Sequence, residues 1–154
     1  MKLHPLHINQ DSKLWCSIAA LAAVTGVSTE HARQVLKEAI GEKAAGAGTR
    51  RQLKGVYTHE LHYALQKMAI NIRTVFVQRW KASNPISLAR YLLKYRPPEN
   101  AVCIATLPRH FVAFDSTTIL DNFYPNGIPF YEYPRIEEPA YVTWELTDLS
   151  VADL

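Results

Sequence analysis

Apolar residues along the chain recur at helical spacing through the first part and come in short β-branched and aromatic runs through the second. Ile18, Leu21, Ala22 and the neighbouring alanines make residues 17–24 apolar almost all round, the pattern of a helix buried at the centre of a domain. Asp11 or Ser12 is suited to cap its start and Gly26 to stop it. Ser28 is placed to cap a second helix over residues 29 to about 40, with Val35, Leu36, Ala39 and Ile40 on one face and Gly41 at its end. Thr58 is placed to cap a third, from 59 to about 68, with Leu61, Ala64, Leu65 and Met68 in step. Residues 70–77 switch to the partial alternation of a strand, and Pro85 opens a fourth helix that runs to Tyr95 before Pro97-Pro98 stops it.

The pattern then changes. Residues 101–107, 110–114 and 118–121 are three short strands separated by Pro108 and by Asp115-Ser116-Thr117, so antiparallel pairing is expected. Residues 130–133 and 141–146 read as edge strands flanking a proline-bearing stretch. Leu3, Leu6 and Ile8 suggest an extended lead-in arm, and residues 41–55, rich in glycine and charge, form a connection of the kind that borders binding sites. Helices first and a meandering sheet second predict an α+β fold, with an N-terminal helical part and its buried central helix packed on a C-terminal antiparallel sheet. One domain over residues 1–154 is expected.

Composition narrows the function classes. With 48% hydrophobic and 20% charged residues, the chain can bury one sizeable core. A formal charge of +3, with basic residues scattered apart from Arg50-Arg51 and Lys54, signals a nucleic-acid surface only weakly, and no nucleic-acid partner is expected. Two cysteines without Cys-x-x-Cys or His-x-x-x-His spacing predict neither a disulfide framework nor a zinc site, and no cofactor is expected. The stretch 14–27 is too short and too broken by polar residues to span a bilayer, so no membrane partner is expected. A cytoplasmic location with both thiols reduced is the expectation, with export lacking a cleaved signal left open.

Candidate chemistry centres on Cys16. A cysteine attacks as its thiolate, which a helix N-terminus and an adjacent imidazolium both favour, whereas a lone cysteine is ordinarily a small buried hydrophobe. Six histidines are available as the base. His59 and His62 lie on an otherwise polar helix face, His31 sits in a first turn, and His4 and His7 belong to the arm. His110 alone opens a strand, a rigid mount beside a cleft. Strand parity selects its orienting partner: an even loop at Ser116-Thr117 opposes Phe114 to Ile119 and sets Asp121 diagonal to His110, with Val112, Phe114, Ile119 and Phe123 beneath them. An odd loop presents Asn122 instead, and the even register is preferred. Gln10, six residues before Cys16, is placed to join the Cys16 backbone N–H as an oxyanion donor.

This conjunction resembles the papain-like cysteine peptidases, most of all the bacterial double-glycine leader peptidases and their stand-alone relatives. The matching residues are Gln10 and Cys16 in Gln-Asp-Ser-Lys-Leu-Trp-Cys-Ser-Ile-Ala-Ala-Leu, His110 in His-Phe-Val-Ala-Phe-Asp, and Asp121 in Ile-Leu-Asp-Asn. Trp15, Ser17 and Asn122 stand where family members commonly carry Asp, Gly and Pro. The resemblance implies a papain-like fold and a cysteine hydrolase acting on a peptide or isopeptide bond of a protein or peptide substrate. Cys16 would attack, His110 would move the proton, Asp121 would orient it and Gln10 would bind the oxyanion. A transglutaminase-like acyltransferase would use the same roles. A catalytically inactive module of the same fold would instead bind a protein through the aromatic, proline-punctuated stretch Phe123, Tyr124, Phe130, Tyr131 and Tyr133, rings that serve equally well as core over the sheet. Oligomeric state is left open.

Overall fold

Small apolar residues make α1 (Cys16–Thr25) a helix that other elements can approach on every side, and all its residues from Ser17 to Val24 are buried. The computed structural model describes residues 1–7, 15–44 and 56–148, and only the backbone of 42–44. Within it, α2 (Thr29–Ala44) and α3 (Thr58–Lys67) pack on α1 and on each other. Leu6 of the lead-in arm is buried beside them, and the arm is pinned by His4 N–H to Ala23 O at 2.8 Å and Leu6 N–H to Pro125 O at 2.8 Å. Gly26, at φ 77, ends α1 where a side chain would meet the His4 ring.

These three helices cover one face of a six-stranded antiparallel sheet, so the fold of the described residues is α+β. Its strands are β1 (Ile70–Val77), β2 (Val102–Leu107), β3 (His110–Phe114), β4 (Thr118–Leu120), β5 (Ile128–Pro129) and β6 (Val142–Asp148). The order across the sheet is β1-β6-β2-β3-β4-β5. Period-two alternation sends Val102, Ile104, Phe111, Ala113, Trp144 and Leu146 toward the helical layer. Cys103, Ala105, Leu107, Val112, Phe114 and Ile119 face the other way, against α4 (Leu88–Lys94) and Tyr133. Burial on both faces is why β2 and β3 read as continuous apolar runs.

Several boundaries differ from the sequence reading, each for a local reason. The N-cap residue of α1 is Trp15, extended and without a side-chain cap, and Asp11 and Ser12 lie outside the described residues. The second helix runs through Gly41, whose site is open to solvent and tolerates the loss of about 1 kcal/mol of helix propensity. In α3 the N-cap residue is Tyr57, because Glu60 reaches back to its N–H at 2.7 Å and Thr58 is already helical. The fourth helix starts after Ser87, whose Oγ accepts from Arg90 N–H at 3.1 Å, rather than at Pro85. Residues 130–132 form a 3-10 turn in place of an edge strand.

The largest difference is β6, which lies between β1 and β2 rather than at an edge. Thr143, Trp144, Glu145 and Leu146 are all buried, a pattern an edge strand does not need. Glu145 is tolerated there because Tyr95 Oη and Arg73 Nη2 donate to its carboxylate, the latter at 2.8 Å. Burial would push this carboxyl up, but those two hydrogen bonds outweigh it and hold it below its ordinary value. No helix among the described residues is long and apolar enough to cross a membrane.

Candidate active site

Two tight turns aim the polar residues of β3 and its neighbours. Leu107 pairs with His110, so the β2–β3 turn is Pro108-Arg109 alone. Proline supplies the first central φ and Arg109 takes φ 54 at the second, the type II pattern. Arg135 holds this turn from outside: its Nη2 donates to Pro108 O and Glu138 Oε1, both at 2.8 Å, and its Nε to Glu138 Oε2 at 2.5 Å. His110 therefore opens β3 from a fixed corner, buried to 7% exposure.

The β3–β4 hairpin has the even register, Phe114 opposite Ile119 and Ala113 opposite Leu120. Asp115 Oδ1 builds its loop by accepting from the N–H groups of Thr117 and Thr118, each at 2.9 Å. Continued past Leu120, that register brings Asp121 to His110, with Oδ2 2.8 Å from Nε2. Asn122, the odd-register alternative, has its Oδ1 buried without a hydrogen-bond partner among the described residues. Phe123 does not lie beneath the pair as expected but is 71% exposed, its ring centroid 6.4 Å from that of His110.

Asp121 is 1% exposed and fully engaged. Besides His110, Tyr133 Oη donates to Oδ2 at 2.7 Å, and the N–H groups of Phe123 and Tyr124 donate to Oδ1 at 2.8 and 3.0 Å. Burial alone would raise its pKa, but the hydrogen bonds of His110, Tyr133 and Phe123 outweigh burial and hold the carboxyl below its ordinary value. An ionised carboxylate only accepts, so Nε2 carries the proton. For His110 burial is again the largest influence and disfavours the imidazolium, yet the hydrogen bond with Asp121 and the nearby Cys16 overcome it and raise the pKa above the usual value.

Cys16 is the first residue of α1, a half-buried free thiol. Ala19 N–H to Trp15 O, at 3.0 Å, is the first helical hydrogen bond, so the N–H groups of residues 16–18 have no acceptor inside the helix. Cys16 lies near enough to His110 to favour its imidazolium, and with Nε2 committed to Asp121 the ring nitrogen that remains is Nδ1. Cys16 and His110 share a cleft of about 730 Å³, walled further by Trp15, Tyr57, Trp80 and Tyr141. Trp80 and Tyr141 pack ring against ring, tilted by 43°, with 4.8 Å between centroids. Gln78 ties their two segments together, donating from Nε2 to Ile86 O at 2.8 Å and to Ala140 O at 2.5 Å.

Three of the residues read from the sequence, Cys16, His110 and Asp121, thus come together, while Gln10 lies outside the described residues. His62, expected on a solvated face, is half-buried with its ring edge-on to Trp144 at 5.2 Å. Of the aromatic stretch, Phe123 and Tyr131 are exposed, Tyr133 is buried, and Tyr124 and Phe130 pack against the core. The sequence reading took Tyr133 only as a binding or core ring and did not single out Arg135, because each acts on a group distant in the chain. The other cysteine, Cys103, sits in the core with its thiol pushed up to about 12, chiefly by burial. Among the described residues no three His, Cys, Asp or Glu side chains gather as metal ligands. No protein-family model, curated protein or solved structure matches the chain.

Proposed function

We propose that the protein is a papain-like cysteine hydrolase that cleaves a peptide or isopeptide bond. The observation that carries this reading is that Cys16, at a helix start, shares a cleft with His110, whose Nε2 is hydrogen-bonded to the buried carboxylate of Asp121. The resemblance of the Cys16, His110 and Asp121 motifs to the double-glycine leader peptidases and their stand-alone relatives supports it independently.

In this reading His110 takes the Cys16 proton and the thiolate adds to the substrate carbonyl, forming a C–S bond. The oxyanion accepts from the Cys16 backbone N–H, with Gln10 as the second donor by analogy with the family. Collapse of the intermediate breaks the C–N bond as the imidazolium protonates the leaving amine. Water, deprotonated by His110, then attacks the thioester, and the acid product leaves as Cys16 is regenerated. Asp121 holds the ring tautomer that presents Nδ1 to the sulfur and favours the imidazolium. The inactive-module alternative loses support from its own stretch, since Tyr133 serves the carboxylate and Tyr124 and Phe130 pack against the core.

The test is alkylation of the thiols with limiting iodoacetamide across pH, located by mass spectrometry. Cys16 is expected to react readily below pH of about 8, where an ordinary thiol is mostly protonated. His110→Ala should abolish that advantage, and Cys103 should stay unlabelled. A Cys16 that reacts no faster than a free thiol at every pH, with or without His110, sinks the proposal.

A further inference from the structure

The cleft beside Cys16 is chemically lopsided. Trp15, Tyr57, Trp80 and Tyr141 line it with rings, and among the described residues no acidic side chain lines it. Trp80 and Tyr57 are 57% and 58% exposed, so both rings leave much of their apolar surface uncovered. Neither is loosely mounted: Gln78 anchors the segment of Trp80, and Glu60 receives the N–H of Tyr57 at 2.7 Å. Among the described residues Arg109 is the one lining side chain with a permanent charge.

Arg109 is also the oddest residue of the cleft. Its backbone sits at φ 54, at the second central position of a type II turn, where glycine is preferred because a Cβ is strained. Its side chain is exposed and has no hydrogen bond or ion pair among the described residues. The fold therefore gains nothing visible from a guanidinium at this position, and strain retained at a cleft mouth points to what the cleft binds.

We infer that the cleft takes a peptide presenting an aromatic side chain together with a carboxylate, the ring against Trp80 and Tyr141 and the carboxylate on Arg109. Ring-on-ring contact and the forked pairing of guanidinium with carboxylate are the interactions these groups make best. The carboxylate belongs either to an acidic side chain or to a free peptide C-terminus. This deepens the hydrolase reading and rests on it for turnover, whereas binding itself needs only the cleft.

Calorimetry with Cys16→Ala protein, which cannot turn substrate over, tests it with three peptides. These are a doubly capped Phe-Glu peptide, its Phe-Gln counterpart, and a Phe-Ala peptide with a free C-terminus. At least one carboxylate peptide should bind about tenfold tighter than the Phe-Gln peptide, the preference expected of one good charge-assisted pair. Which one does so identifies the source of the carboxylate. Adding Arg109→Gly should erase the preference while leaving Tm unchanged or higher, since glycine relieves the turn, and Trp80→Ala should weaken all three peptides. Equal affinities, including no measurable binding by any peptide, or a preference that survives Arg109→Gly, overturn the inference. The iodoacetamide profile of Cys16 reports separately on the chemistry, so an inert thiol with Arg109-dependent binding rejects only the hydrolase, and a reactive thiol without that binding rejects only the ligand class.

Discussion

Asp121 takes hydrogen bonds from His110, Tyr133 and two backbone N–H groups, and this arrangement ties local chemistry to pH. Its native pKa is lowered, so the stability it contributes is present above the unfolded value of about 3.9 and is lost as pH falls through the native value. His110 has the opposite sign: its pKa is raised, and its contribution is whole below about 6.5 and is lost as pH rises through the native value. Both contributions are whole between those limits. Tyr133→Phe removes one of the donors that depress Asp121. The acid-unfolding midpoint, followed by tryptophan fluorescence, should therefore move to higher pH, with a loss of about 1 kcal/mol in denaturant at neutral pH.

At the scale of elements, the site depends on where two short segments begin. With α1 starting at Cys16, the free N–H groups and positive end of the helix lie at the sulfur, an arrangement that a cap at Asp11 or Ser12 would have moved a turn away. The start of β3 is set by the Pro108-Arg109 turn, and Arg135 clamps that turn through the Pro108 carbonyl while its charge opposes the imidazolium of His110. Arg135→Gln should loosen the corner and remove the opposing charge together. Iodoacetamide labelling of Cys16 should slow severalfold, while the His110 ring, followed by NMR, should titrate at higher pH than in the parent protein. A role confined to stability would lower Tm and leave the titration where it was.

For the whole molecule, β6 is the strand that joins the parts. It pairs with β1 on one side and β2 on the other, and it places Trp144 under the helical layer that carries Cys16. Trp144 is 3% exposed and meets the His62 ring from α3. Trp144→Ala should cost about 3–5 kcal/mol, the range for deleting a large buried aromatic. That is a large part of the 5–15 kcal/mol typical of a domain, so the denaturant midpoint should fall steeply. The cleft should loosen with it, because the relation of α1 to β3 runs through this core.

Much of this was legible in the chain because its cause is local. Alternation has a period of two in a strand and 3.6 in a helix, so the apolar α1, the strand opening at His110 and the even β3–β4 register follow from residues a few positions apart. The choice of Asp121 over Asn122 rests on that parity and on nothing more distant. Tertiary structure alone decided the rest. The buried apolar and polar residues of β6 read equally well as an edge until β1 and β2 are found on either side of it. Tyr133 and Arg135 became site residues only through contacts with Asp121 and Pro108 across other elements. Pairing over such distances depends on which faces remain uncovered once the rest of the chain has folded, and no short window of sequence carries that information.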